Sequence, residues 1–142
     1  MCKRAFDIAK GEIGIREIPG SESADKIIEY NAHTTLKATD DLTPWCSSFV
    51  NFCVDKSGGK GTHSAAARSW LQWGQGIQTP EEGCIVILKR GKEPWQGHVG
   101  FYAGENKELV RVLGGNQKNM VCYSWFPKTQ VLGYRKEVVQ NA

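Results

Sequence analysis

A thiol, an imidazole and a carboxamide stand out along this 142-residue chain: Cys46, His98 and Asn116. Cys46 lies near the start of a segment whose apolar residues Cys46, Phe49, Val50 and Cys53 recur at i, i+3, i+4 and i+7, the period of a one-faced helix. Thr43 is a good N-cap for that helix, and Pro44 suits its first position. A cysteine in the first turn meets unpaired backbone N–H groups and the positive end of the helix dipole, which favour the thiolate. His98 opens the stretch Gly97-His98-Val99-Gly100-Phe101-Tyr102. Strand alternation puts His98, Gly100 and Tyr102 on one face, with Gly100 leaving room for a group to approach, and Val99, Phe101 and Ala103 on the core face. Asn116 ends the next apolar stretch, after Gly114-Gly115, and in an antiparallel pair the end of one strand faces the start of the other. An amide there can accept the imidazole N–H and aim the ring at a nucleophile. Each residue also has a plainer reading: a small core thiol, a structural histidine, a turn asparagine. Together they occur in the order one thiol site needs, with Gln117 as the fallback orienter.

The elements that must position these residues change character once. Ala5, Ile8, Ala9 and Ile13 mark a first helix; Pro19-Gly20-Ser21 is a turn; Ile27, Ile28 and Tyr30 mark a short second helix. A polar, loop-like stretch over 33–41 precedes the Cys46 helix, which Gly58-Gly59 ends, and Ser64 to Trp73 reads as a fourth helix closed by Gly74. After Pro80 come short β-branched or aromatic runs: Cys84–Leu88, Val99–Ala103, Leu109–Leu113, Met120–Trp125 and Val131–Tyr134. The expected fold is α+β, with a helical half over about 1–75 packed on an antiparallel meander of about five strands over about 80–136. One domain spanning 1–142 is expected from the length.

Composition excludes several classes. The chain is 40% hydrophobic, 23% charged and 10% aromatic, which is neither a disordered tail nor a coiled coil. Its longest apolar run, Cys84–Leu88, is far below the roughly 18 residues of a membrane span. Asp7 and Lys10 interrupt the N-terminal apolar residues, so no secretory signal is expected and synthesis in a cytosol is. The net charge of +3 is mild, and basic residues never run longer than two, which argues against nucleic acid. Five cysteines without a Cys-x-x-Cys pair argue against a disulfide framework or a finger-type zinc site. No cofactor and no resident metal are expected.

Thr43-Pro44-Trp45-Cys46-Ser47-Ser48-Phe49-Val50-Asn51-Phe52, Gly97–Tyr102 and Leu113-Gly114-Gly115-Asn116-Gln117 resemble the NlpC/CHAP group of papain-like cysteine amidases and peptidases, and within it single-domain bacteriophage endolysins and prophage proteins. The likeness runs from the first helix to Val131–Arg135. It departs at Ser47-Ser48, where that group usually has small apolar residues. The resemblance implies Cys46 as nucleophile, His98 as general base, Asn116 as orienter and peptidoglycan as substrate, for a monomer released to act on the cell wall. Asp41, just before the catalytic helix, would bind the cationic end of a wall peptide or simply compensate the helix dipole. Trp45 and Trp95 are groove-wall candidates. Competing readings are a secreted effector amidase, a zinc amidase using His33, His63, His98 and Cys122, and a wall-binding module without activity.

Overall fold

The computed structural model describes residues 2–16, 22–34, 45–92 and 96–137. The expected turn at Pro19-Gly20-Ser21 and the stretch 35–44 lie outside them. Three α-helices come first: α1 (Cys2–Gly11), α2 (Glu22–Asn31) and α3 (Cys46–Lys56). Six strands follow, β1 (Gln75–Ile77), β2 (Ile85–Lys89), β3 (Gly97–Glu105), β4 (Leu109–Gln117), β5 (Met120–Pro127) and β6 (Val131–Lys136), in one antiparallel sheet ordered β1-β6-β2-β3-β4-β5. The α+β class and all five expected strands are present. Two details differ. Strands β2 to β5 do form a meander, but β6 returns to pair with β2, and the polar segment Gln75–Ile77 adds an edge strand to β6. Three residues with two glycine neighbours carry too little period-2 signal to be read as a strand.

Helix α3 is the axis of the molecule. Every residue from Cys46 to Val54 is buried, so it is buried on all sides rather than on the one expected face. Helices α1 and α2 pack on one side of it, strands β3 and β4 on the other. Its polar residues survive there because they are bonded. Ser47 Oγ donates to Ser64 O (2.6 Å) and accepts from Trp70 Nε1 (2.9 Å); Asn51 accepts from His63 N (2.7 Å) and donates to Ser47 O (3.1 Å). Ser48 is the exception, its hydroxyl finding no hydrogen-bond partner among the described residues. The helix ends as expected, Gly58 (φ +93°) taking the left-handed position past the end and Gly59 N–H bonding Val54 O (3.0 Å).

Its start differs from expectation. The N-cap residue is Trp45, with no side-chain cap; Thr43 and Pro44, expected to open the helix, lie outside the described residues. The Trp45 ring is fully buried and stacks on Tyr30 at 5.8 Å; Tyr30 also meets Phe49 (5.1 Å) and Phe52 (4.8 Å). Burial first, and a 2.8 Å bond to the Glu12 carboxylate second, hold the Tyr30 hydroxyl protonated far above its usual range. Full burial of an aromatic side chain contributes about 1.5–3 kcal/mol, so this cluster fixes where the helix begins.

The fourth helix is shorter and tighter than its pattern suggests: only Ala67–Gln72 is helical, as a 3-10 turn. Its Trp70 and Trp73 pack edge to face at 5.0 Å, as core residues. Arg68 Nε donates to Gln96 O (2.7 Å), tying this turn to the start of β3.

Candidate active site

Cys46 is the first residue of α3, so its own N–H and the next two are outside the intrahelical ladder. His98 is the second residue of β3, paired across β2 with Leu88. The expected alternation holds: Val99 and Phe101 join the helix-side core, while Tyr102 joins the core on the opposite side. The space at Gly100 is not open, however. A side chain there would strike Val112 and the β4 backbone, so the glycine admits the neighbouring strand and not a substrate.

Cys46 and His98 are buried side by side, close enough for each side chain to shift the titration of the other. Burial pushes the Cys46 thiol up, but the bond and charge of His98, with backbone hydrogen bonds from Val99 and Ser47, bring it below the usual thiol value. Burial pushes His98 down; the Cys46 bond and charge and then the Gln117 bond outweigh it, so the imidazole lies above its usual value, against an opposing Arg90 charge. A lowered thiol beside a raised imidazole shifts the balance towards the thiolate–imidazolium pair. Cys53, by contrast, is pushed well up by burial.

The third position corrects the expectation for Asn116. His98 Nε2 lies 2.8 Å from Gln117 Oε1, and no hydrogen bond joins His98 to Asn116. Plain alternation would give Asn116 the face of Val112 and Gly114, towards His98. Asn116 instead takes φ +59°, and the β4–β5 register slips by one residue between Gly114 and Gln117. That bulge turns Gln117 back onto the His98 face. A side chain at 114 would come within 2.7 Å of Gln117 Oε1 and 3.3 Å of His98 Nε2, so Gly114 makes the space for the pair. The Gln117 amide nitrogen donates to Cys122 O (2.6 Å) and Val112 O (3.1 Å), which leaves Oε1 as an acceptor. His98 therefore carries its proton on Nε2, and Nδ1 faces the thiol. The signal was present in the sequence: asparagine tolerates the left-handed region, and the residue after it inherits the inward direction.

On the opposite side of Gly114, a side chain at 115 would come within 2.7 Å of Phe49 Cβ and Trp45 Cζ3. Strand β4 thus lies directly on the first turns of α3.

Two cavities flank the pair. One, of about 340 Å³, is lined by Cys46, Ala65–Ala67, Arg90, Gln96 and Gly97; the other, of about 350 Å³, contains His98, Asn116, Gln117, Lys118, Trp125 and Arg90 on its walls. Trp45 is buried in the core and lines neither, so it is not a groove wall. Trp125, half exposed, takes that place. Its aromatic strand context gave no hint of this, because the outer face of an edge strand and a groove wall read alike. Asp41 and Trp95 lie outside the described residues.

The residues of the zinc alternative do not gather. His33 Nδ1 (2.8 Å) and His63 Nε2 (3.1 Å) both meet the Asp55 carboxylate, whereas Cys122 donates to Gln117 O (3.3 Å) and His98 holds Cys46. Among the described residues no group of His, Cys, Asp and Glu is placed to hold a metal ion. His33 and His63 are partly buried around this shared carboxylate.

Residues 38–116 match the family model of the CHAP domain, more than half of the chain. The chain belongs to the CHAP family. The matched segment contains Cys46, His98 and Asn116 and stops one residue before Gln117. No curated protein matches the chain. CHAP domains are generally cysteine- and histidine-dependent amidases or peptidases, and membership implies hydrolase chemistry of the peptidoglycan kind. A papain-like layout is consistent with the helix-then-sheet order found here.

Proposed function

We propose that this CHAP protein is a single-domain peptidoglycan hydrolase of the bacteriophage endolysin kind, made in a bacterial cytoplasm and cleaving a wall amide once it reaches the cell wall. Cys46 is the nucleophile, His98 the general base and acid, and Gln117, in place of Asn116, the residue that positions His98. The observation that carries this reading is the buried, interacting Cys46–His98 pair beside two cavities, with an imidazole nitrogen held by an amide whose direction its own donors dictate.

The steps follow from those roles. The thiolate attacks the amide carbon while the imidazolium, held by Gln117, stands ready as acid. Negative charge develops on the carbonyl oxygen, and the free Cys46 N–H at the helix start is one donor towards it. Collapse breaks the C–N bond, the amine leaves with the proton from His98 Nδ1, and a thioester remains. Water then adds to the thioester, losing its proton to His98, and the acid departs as the thiol is restored.

Digestion of purified peptidoglycan followed by mass spectrometry of the released muropeptides tests the proposal. New amine termini without new reducing sugar ends are expected, abolished by a thiol alkylator and unchanged by a chelator. Release of reducing ends alone, or activity that survives alkylation, overturns it.

A further inference from the structure

The two cavities beside Cys46 and His98 share one residue, Arg90. Lys89 and Lys118 line the second with it, and neither cavity has an Asp or Glu among its described lining residues. A net charge of +3 spread over 142 residues would not by itself bring three cations together without an anion. The turn between β4 and β5 is also unusual. Lys118 and Asn119 both have positive φ (+53° and +61°), the conformation of a two-residue hairpin turn that favours Asn and Gly, so lysine at 118 is held against its backbone preference. Arg90 makes no hydrogen bond or ion pair with another described residue, and its charge opposes protonation of His98. A cation beside a base that must hold a proton is a disadvantage in the free enzyme. An anion delivered by the substrate removes it.

We propose that Arg90 receives a free carboxylate of the peptide substrate beside the scissile amide, with Lys89 and Lys118 supporting it from the second cavity. The guanidinium fork matches a carboxylate with two parallel hydrogen bonds, which a carboxamide cannot replace. The enzyme therefore selects acidic stem peptides over their amidated forms, and the bound carboxylate offsets the Arg90 field at His98. This rests on Cys46 and His98 being the reacting pair.

The test uses synthetic wall stem peptides identical except for a free carboxylate or a carboxamide next to each amide, cleaved by the full chain and by Arg90→Gln. The wild-type protein is expected to prefer the free acid, and Arg90→Gln to lose about 10- to 100-fold in kcat/KM on it, the range of a hydrogen bond to a charged group, with little change on the amidated peptide. Arg90→Lys should fall between. With the opposing charge gone, the alkaline limb of kcat/KM for Arg90→Gln moves to higher pH, a shift that lost packing alone would not cause. Equal losses on both peptides, or equal wild-type rates on both, overturn the proposal while leaving the thiol mechanism intact. A loss confined to walls carrying phosphodiester polymers, with the peptide pair unaffected, assigns Arg90 to phosphate and also overturns it. Cleavage of neither peptide by the wild-type protein defeats the hydrolase reading itself.

Discussion

Two histidine sites lie on opposite ends of helix α3. At its start, His98 is 6% exposed and bonded on one nitrogen to a neutral amide and on the other side to a thiol. At its last turn, His33 and His63 close on the single carboxylate of Asp55, with no thiol and neither cavity of the catalytic pair beside them. Both sites have an imidazole held at 2.8 Å by an oxygen acceptor. What separates them is the partner on the other side. A carboxylate shared between two rings is satisfied by them and ties α2, α3 and the loop at 63 together; a thiol paired with one ring remains able to exchange its proton. The comparison teaches that histidine burial and a good acceptor make a structural joint unless a second titrating group completes the circuit.

The largest effect should come from Cys46→Ala. Wall hydrolysis, followed by turbidity clearing, is expected to fall by about 10³-fold or more with the fold retained. Near wild-type clearing would defeat the thiol assignment. Next is the positioning residue. Gln117→Ala should lower kcat by about 10- to 100-fold with little change in KM, whereas Asn116→Ala should leave kcat nearly intact. The reverse result would return the role to Asn116.

The pH profile sharpens the same contrast. The lowering of the thiol and the raising of the imidazole both favour the thiolate–imidazolium form. Activity should fall on the acid side as Cys46 takes up a proton, below the usual thiol range, and on the alkaline side as His98 loses the one it donates, above the usual imidazole range. Iodoacetamide labelling of Cys46 should follow the acid limb while buried Cys53 stays unlabelled; an acid limb at the ordinary thiol value contradicts the pair. At the other end of the helix, Asp55→Ala should reduce unfolding free energy by about 1–3 kcal/mol, measured in urea, with kcat per folded molecule unchanged. Loss of turnover beyond the loss of folded protein would show that this joint reaches the site. Smallest is Ser48→Ala, which removes an unpartnered buried hydroxyl and should raise stability by up to about 1 kcal/mol. Ser47→Ala should lower it instead, since Ser47 Oγ serves Trp70 and Ser64.

Much of this was legible from residue type and local period. Cys46 and His98 could be placed because a helix start and a strand start are local properties, readable within ten residues. The α+β order was legible for the same reason. Gln117 was legible only as the fallback: asparagine before it tolerates the left-handed region, but alternation alone puts Asn116 on the His98 face, and it takes a one-position slip in register to exchange the two. Trp45 was misplaced as a groove wall because proximity in sequence to a nucleophile says nothing about side-chain direction; the aromatic cluster of Tyr30, Phe49 and Phe52 decides it. Strand β6 returning to β2 is a long-range pairing with no local signature.

The missing side chain at residue 115 has a further consequence. Because β4 rests on Trp45 and Phe49 with nothing interposed, the spacing between the two halves of the chain is a gauge with one setting, made of backbone and ring rather than of adjustable side chains. Any residue larger than glycine acts as a shim there and would widen the gap at its neighbour's end first, near Gln117. Arg90, Lys118 and Trp125 line the cavities from outside that gauge, so substitutions there are expected to leave the spacing of Cys46 and His98 unchanged, whereas any side chain added at 115 is expected to disturb it.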